Sequence, residues 1–226
     1  MNAKKTAAEK AVEYIKDGMT VGLGTGSTAY WAIRRIGERV QEGLNIRAIA
    51  TSRASEELAV ELGIAMMSSS EAVELDLTID GADEVDRSWS LIKGGGGALL
   101  REKIVASISK QLIIIVDESK VKERLGGFAL PVEVIPFGYE ITMRQLSATG
   151  CTPVLRMLEG KPYWTDNGNY IVDCDYGDIL HPSQLAIRIN AIPGVVDNGL
   201  FVGMAGQVIV GYGDGTVKQL ERRGSE

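Results

Sequence analysis

Apolar and polar positions in this chain follow two periods, and the first half switches between them repeatedly. Over about residues 3–16, Lys4, Ala8, Ala11, Val12 and Ile15 share one helical face. Short apolar runs rich in Val and Ile follow, and these predict strands: "MTVGL" (19–23), "IRAIA" (46–50), "LDLTID" (75–80) and "QLIIIVD" (111–117). Between them, "AYWAIRRIGERV" (29–40) and "RASEELAVELG" (53–63) carry helical spacing. Strand–helix alternation of this kind predicts a parallel sheet covered on both faces.

The pattern changes near Leu130. "VEVIPF" (132–137) is a predicted strand and "GYEITMRQLSATG" (138–150) a helix. "TPVLRML" (152–158) and "NYIVDCDY" (169–176) predict two strands joined around "TDNGN", an Asn-Gly hairpin signal. "HPSQLAIRINAIPG" (181–194) predicts a helix and "VVDNGLFVG" (195–203) a strand. The order β-α-β-β-α-β is that of a ferredoxin-like α+β domain. Two last strands, "GQVIVGYG" (206–213) and "GTVKQLER" (215–222), are expected to return to the first domain. The expected division is 1–129 with 205–226, and 130–204.

Composition narrows the function. The 226 residues are 45% hydrophobic and 24% charged, as in an ordinary globular protein with a sizeable core. Two cysteines, Cys151 and Cys174, lack a C-x-x-C spacing, so they are expected to pack inertly in a reducing cytoplasm. No apolar run approaches the roughly 20 residues that span a bilayer, and the charged N-terminal stretch is unlike a signal peptide. A net charge of -6 argues against a general nucleic-acid surface. The single histidine, His181, precedes Pro182 at a predicted helix start and reads as a cap or surface residue. Acid–base chemistry therefore falls to carboxylates, lysines or tyrosines. Trp31, Trp89 and Trp164 read as packing anchors.

The candidate chemistry lies in four segments that follow predicted strands, where open parallel sheets bind ligands. Gly24-Thr25-Gly26-Ser27-Thr28 opens a helix, which suits an anion at unpaired N–H groups, although a tight turn with a Ser/Thr cap would account for it equally. Asp80-Gly81-Ala82-Asp83 places two carboxylates three residues apart, either as an Asx turn or as groups facing a hydroxylated ligand. Asp117-Glu118-Ser119-Lys120 follows "LIIIV". "WSLIK" ends at Lys93, where Gly94 to Gly97 run into a helix that carries Glu102. Glycine in series costs backbone entropy, so bare backbone must be required there. Lys93 can stabilise charge developing on oxygen, and desolvation beside such a loop would raise the pKa of Glu102. Lys4 ends the buried stripe of the first helix, where it either snorkels to water or supplies a cation to an anionic group.

"GLGTGST", "TIDGADEVD", "LIKGGGGALLREK", "VDESK", "LPVEVIPFG" and "VDNGLF" resemble, in order and spacing, the A-type ribose-5-phosphate isomerases. The resemblance covers essentially the whole chain. It implies an α/β fold with a Rossmann-like domain and a ferredoxin-like small domain. It implies interconversion of D-ribose 5-phosphate and D-ribulose 5-phosphate in the non-oxidative pentose phosphate pathway, without metal or organic cofactor. The implied base is Glu102, with Asp80 assisting ring opening and Lys93 stabilising a cis-enediolate. The implied substrate-binding residues are Lys4, Thr25, Gly26, Ser27, Thr28, Asp80, Gly81, Ala82, Asp83, Lys93, Gly94, Gly95, Gly96 and Lys120. A homodimer or homotetramer is implied as well, with the small domain as its interface. The principal alternative is a sugar-phosphate sensor without chemistry. A coenzyme A transferase using a nucleophilic glutamate and a nicotinamide-dependent dehydrogenase are further alternatives.

Overall fold

In the computed structural model, which describes residues 2–221, the elements run in this order. First come α1 (Ala3–Val12), β1 (Thr20–Leu23), α2 (Ala29–Gln41), β2 (Arg47–Ala50), α3 (Arg53–Glu61), β3 (Leu77–Gly81), β4 (Glu84–Val85) and β5 (Leu91–Ile92). Next are α4 (Leu99–Ser107), β6 (Leu112–Asp117), β7 (Leu130–Val134), α5 (Tyr139–Ser147), β8 (Thr152–Leu155), β9 (Met157–Leu158) and β10 (Lys161–Pro162). β11 (Tyr170–Asp175), α6 (Pro182–Asn190), β12 (Val195–Asn198), β13 (Leu200–Phe201), β14 (Gln207–Gly211) and β15 (Val217–Gln219) complete the chain. Arg222, the last residue of the final predicted strand, lies outside the described residues, as do Met1 and 223–226 of the expected first domain.

Two compact units result: Met1–Ala82 with Arg101–Val121 and Met204–Glu226, and Asp83–Leu100 with Lys122–Gly203. Segments 83–100 and 122–129, expected with the first domain, cluster with the second unit. The physical cause is pairing. β4 and β5 form a small antiparallel sheet with β13, and the buried Glu84 carboxylate accepts the N–H of Gly126 at 2.8 Å.

The first unit is built on a six-stranded sheet of order β15-β14-β6-β3-β1-β2, parallel except for β15. Ala8, Ala11 and Val12 of α1 and Ile33 and Ile36 of α2 bury one face together with Val21, Leu23, Ile79 and Ile113. Gly22 and Thr78 face the other side. A methyl group at Gly22 would collide with Thr78 and come within 2.7 Å of Val105 on α4, so bare backbone lets that helix pack closely. α1 ends at Val12 rather than near residue 16. Tyr14 and Ile15 donate to carbonyls three residues back, and the Arg39 guanidinium caps the Val12 and Ile15 carbonyls at 2.6 and 3.0 Å.

The second unit contains the antiparallel sheet β12-β7-β11-β8 with α5 and α6, which is the ferredoxin-like order expected from the sequence. Three predicted strands are broken here. "TPVLRML" divides at Arg156, and an additional hairpin, β9–β10, turns at Glu159 and Gly160, both with positive φ. The Asn-Gly signal instead marks the tight turn before β11, where Thr165 N–H donates to the Asn169 carbonyl. "VVDNGLFVG" leaves one sheet for another at Gly199, where any side chain would collide with the Lys93 carbonyl. "WSLIK" is strand only at Leu91–Ile92, because Trp89 adopts φ 66° in a turn tied to the Asp86 carboxylate. Trp89 is buried, whereas Trp164 is exposed and not the anchor expected of it.

Candidate active site

In the first unit three candidate segments emerge from the carboxyl ends of the adjacent parallel strands β1, β3 and β6. β2 and β3 lie on opposite sides of β1, so strand order reverses between β1 and β3. Such a switch point is where open α/β sheets leave a crevice. There the loop 24–28 is fastened to Asp80. The Asp80 carboxylate, 1% exposed, accepts the N–H of Thr25 at 3.1 Å and of Gly81 at 2.7 Å. A side chain at Gly24 would occupy the position of that carboxylate.

The hydroxyls of the loop have different duties. Thr25 turns inward to a buried cluster, 2.7 Å from the Thr51 hydroxyl and 2.9 Å from that of Ser52. Ser55 closes the cluster by donating to the Gly24 carbonyl at 2.8 Å. Thr28 holds the N-cap position of α2, yet its side chain makes no capping hydrogen bond. The capping account of "GTGST" therefore does not describe this loop. The N–H groups of Ser27, Thr28 and Ala29 donate to no acceptor among the described residues. Unpaired N–H groups at a helix start, with the helix dipole, suit an anion. Lys4 adds a cation, its ammonium donating to the Ser27 hydroxyl at 2.9 Å. Lys120 is half-buried and ends a 3-10 turn whose start is capped by Asp117. Glu102 stands in the first turn of α4 and is 4% exposed.

The second unit holds Asp83, Lys93 and the glycine run. Lys93 and its loop do not belong to the parallel sheet, as four segments at one sheet edge would require. They follow β5 of the three-stranded antiparallel sheet. Lys93 is 2% exposed, with its ammonium 5.3 Å from the centroid of the Phe201 ring. Gly94 and Gly97 have φ of 105° and 76°, a region that L side chains rarely adopt. Gly95 is bare for a different reason: a side chain there would collide with the Asp83 carboxylate, which accepts the Gly95 N–H at 2.7 Å. Asp80 and Asp83 thus each have their own N–H partners.

His181 is exposed and makes no side-chain cap bond, consistent with a surface role. Among the described residues no group of three or more His, Cys, Asp or Glu side chains is placed to hold a metal ion, and no helix is long and apolar enough to cross a membrane. Sequence reading missed Arg156 and Tyr163, whose side chains donate to carbonyls of the glycine run, and Asp173, which pairs with Arg156. A lone arginine in a predicted strand gives no such signal.

The sequence model of ribose 5-phosphate isomerase A (phosphoriboisomerase A) matches residues 47–215. Ribose-5-phosphate isomerase A of Bacillus mycoides (strain KBAB4) is 51% identical over 216 residues, covering 95% of this chain and 98% of that protein. The solved ribose 5-phosphate isomerase A of Methanocaldococcus jannaschii superposes with a TM-score of 0.93 at 42% identity, covering 98% of this chain and 99% of the other. A D-ribose-5-phosphate isomerase in complex with phospho-erythronic acid superposes with a TM-score of 0.94 at 39% identity, covering 98% of this chain and 100% of that one.

Proposed function

The chain belongs to the ribose 5-phosphate isomerase A family and is an aldose–ketose isomerase of D-ribose 5-phosphate and D-ribulose 5-phosphate; we propose that it works through a cis-enediolate with Glu102 as the base. The observation that carries the assignment of the base is the buried Glu102 carboxylate in a chain whose single histidine is exposed. Ribose 5-phosphate is mostly a closed ring, so Asp80 first helps move the ring-opening proton. Glu102 then takes the proton from C2 and returns it to C1. Charge accumulates on the C1 and C2 oxygens, and Lys93 with the glycine-run N–H groups stabilises it. Asp83 holds sugar hydroxyls. Lys4, the hydroxyls of Ser27 and Thr28, the N–H groups opening α2, and Lys120 hold the phosphate. Thr25 and Gly26 shape that loop, and Gly81 and Ala82 carry the backbone from Asp80 to Asp83.

No metal or organic cofactor takes part. Turnover of ribose 5-phosphate in excess EDTA is therefore expected to match turnover without it. Loss of turnover on chelation, restored by a divalent cation, would contradict the metal-free reading, whereas sugar-phosphate binding without any turnover would support the sensor. We place the enzyme in the cytoplasm, a setting supported by its two free, buried cysteines. A homodimer or homotetramer is supported by Ile135, Phe137 and Ile141 of the second unit, which are 40%, 88% and 54% exposed.

A further inference from the structure

The geometry points to Arg156 as a positioning residue that, oriented by Asp173 and assisted by Tyr163, fixes the glycine run so that the Gly96 N–H is presented to the enediolate oxygens. This inference rests on the proposed role of the run as an oxyanion-binding loop. Arg156 occupies the break between β8 and β9, where both of its backbone groups are bonded. Its N–H donates to the Ile171 carbonyl at 2.8 Å, and its carbonyl accepts from Tyr163 at 2.9 Å. The side chain is held in turn by Asp173 on β11 through a two-point ion pair, with Nε 2.9 Å from Oδ2 and Nη2 on Oδ1. A bidentate pair of this kind fixes direction as well as position.

The remaining Nη1 donates to the carbonyls of Gly94 at 3.0 Å and Gly95 at 3.1 Å. The Tyr163 hydroxyl donates to the carbonyl of Gly96 at 3.3 Å, and burial pushes the phenol pKa up, which keeps it a donor. Three successive carbonyls are thus held from one side. In a trans peptide the N–H points opposite to the preceding C=O. The peptide after Gly94 sends its N–H to Asp83, and the peptide after Gly96 returns its N–H to the Gly94 carbonyl at 2.9 Å. The peptide between them, with its carbonyl on Arg156, leaves the exposed Gly96 N–H with no acceptor among the described residues. Asp83 and Arg156 therefore hold the run from opposite sides, and the Gly96 donor remains for a ligand.

The segment carrying Tyr163 is itself anchored. The fully buried Glu133 accepts from Thr165, Asn167 and Asn169 at 3.0, 3.2 and 2.8 Å. A run of four glycines has no side chains with which to hold its own shape, so its rigidity has to be imported from such neighbours.

The test is kinetic, on the full chain. Arg156→Ala is expected to lower kcat by about 10- to 100-fold, the cost of a small misplacement at a reacting centre, while KM for ribose 5-phosphate moves by less than about threefold. Guanidinium ion at low millimolar concentration is expected to restore part of kcat in Arg156→Ala and none in the native protein. Inhibition by phospho-erythronic acid, whose carboxylate offers a pair of oxygens in place of the enediolate, is expected to weaken more than KM. A kcat within about twofold of native, or a loss of kcat without guanidinium rescue or selective weakening of the inhibitor, would overturn the assignment. If Arg156→Ala does not fold, Tyr163→Phe decides: a roughly two- to fivefold loss of kcat supports the clamp, and unchanged kcat and inhibition overturn it. Normal Arg156 variants beside an inactive Glu102→Gln would discard the clamp and leave the isomerase mechanism standing.

Discussion

Glu102→Gln is expected to lower kcat for ribose 5-phosphate by about 10²- to 10⁴-fold, the range typical of a lost general base. The substitution keeps the shape of the side chain and removes its charge and its capacity to take a proton. KM for ribose 5-phosphate is therefore expected to stay within a few-fold of native. The size of the effect follows from what else the chain contains. His181 is exposed at the start of α6 and pairs with no carboxylate among the described residues, so no imidazole stands ready to replace the base. Asp80 accepts the N–H groups of Thr25 and Gly81, which holds the crevice loop. Activity within tenfold of native would remove Glu102 from the base role and leave the family assignment untouched.

Lys93→Met is the second large effect: kcat is expected to fall by about 10²- to 10³-fold, as when one oxyanion stabiliser is removed. Methionine retains the apolar stem beside Phe201, and only the charge is lost. Removing an ammonium from water costs several kcal/mol of desolvation, and Lys93 is 2% exposed. The loss of kcat in Lys93→Met is expected to exceed any loss of folded protein at the assay temperature, as followed by its thermal midpoint. A variant that lost stability and activity in proportion would mark Lys93 as a structural residue.

Much of this was legible in the sequence, for physical reasons that can be named. The short apolar runs "LDLTID" and "QLIIIVD" and the helical period between strands gave the parallel sheet. The polar residues after β1 and β3 then fell at the switch point without knowledge of strand order. What was not legible depended on contacts between distant residues. β4, β5 and β13 are two residues long each, too short to show any period. Their pairing moved 83–100 out of the parallel-sheet domain. The end of α1 is set by Arg39, which lies 27 residues beyond Val12, not by a local stop signal.

The glycine run was half legible. Bare backbone was rightly expected, but the sequence suggested only close approach of a ligand. The structure adds backbone conformation at Gly94 and Gly97, and crowding by Asp83 at Gly95. "GTGST" was likewise ambiguous between a capped turn and an anion site; the structure adds that Thr25 turns inward and that Thr28 leaves its cap unmade. Arg156 was invisible because its function lies in the carbonyls it holds.

The central claim is that a carboxylate moves a proton between C2 and C1 through an enediolate, and isomerisation in D2O with EDTA present tests it most directly. The account predicts one solvent deuterium at C1 of newly formed ribulose 5-phosphate, less any fraction returned internally, and no incorporation with Glu102→Gln beyond its residual turnover. Ribulose 5-phosphate formed with the substrate hydrogen fully retained at C1, and at the native rate by Glu102→Gln as well, would contradict it.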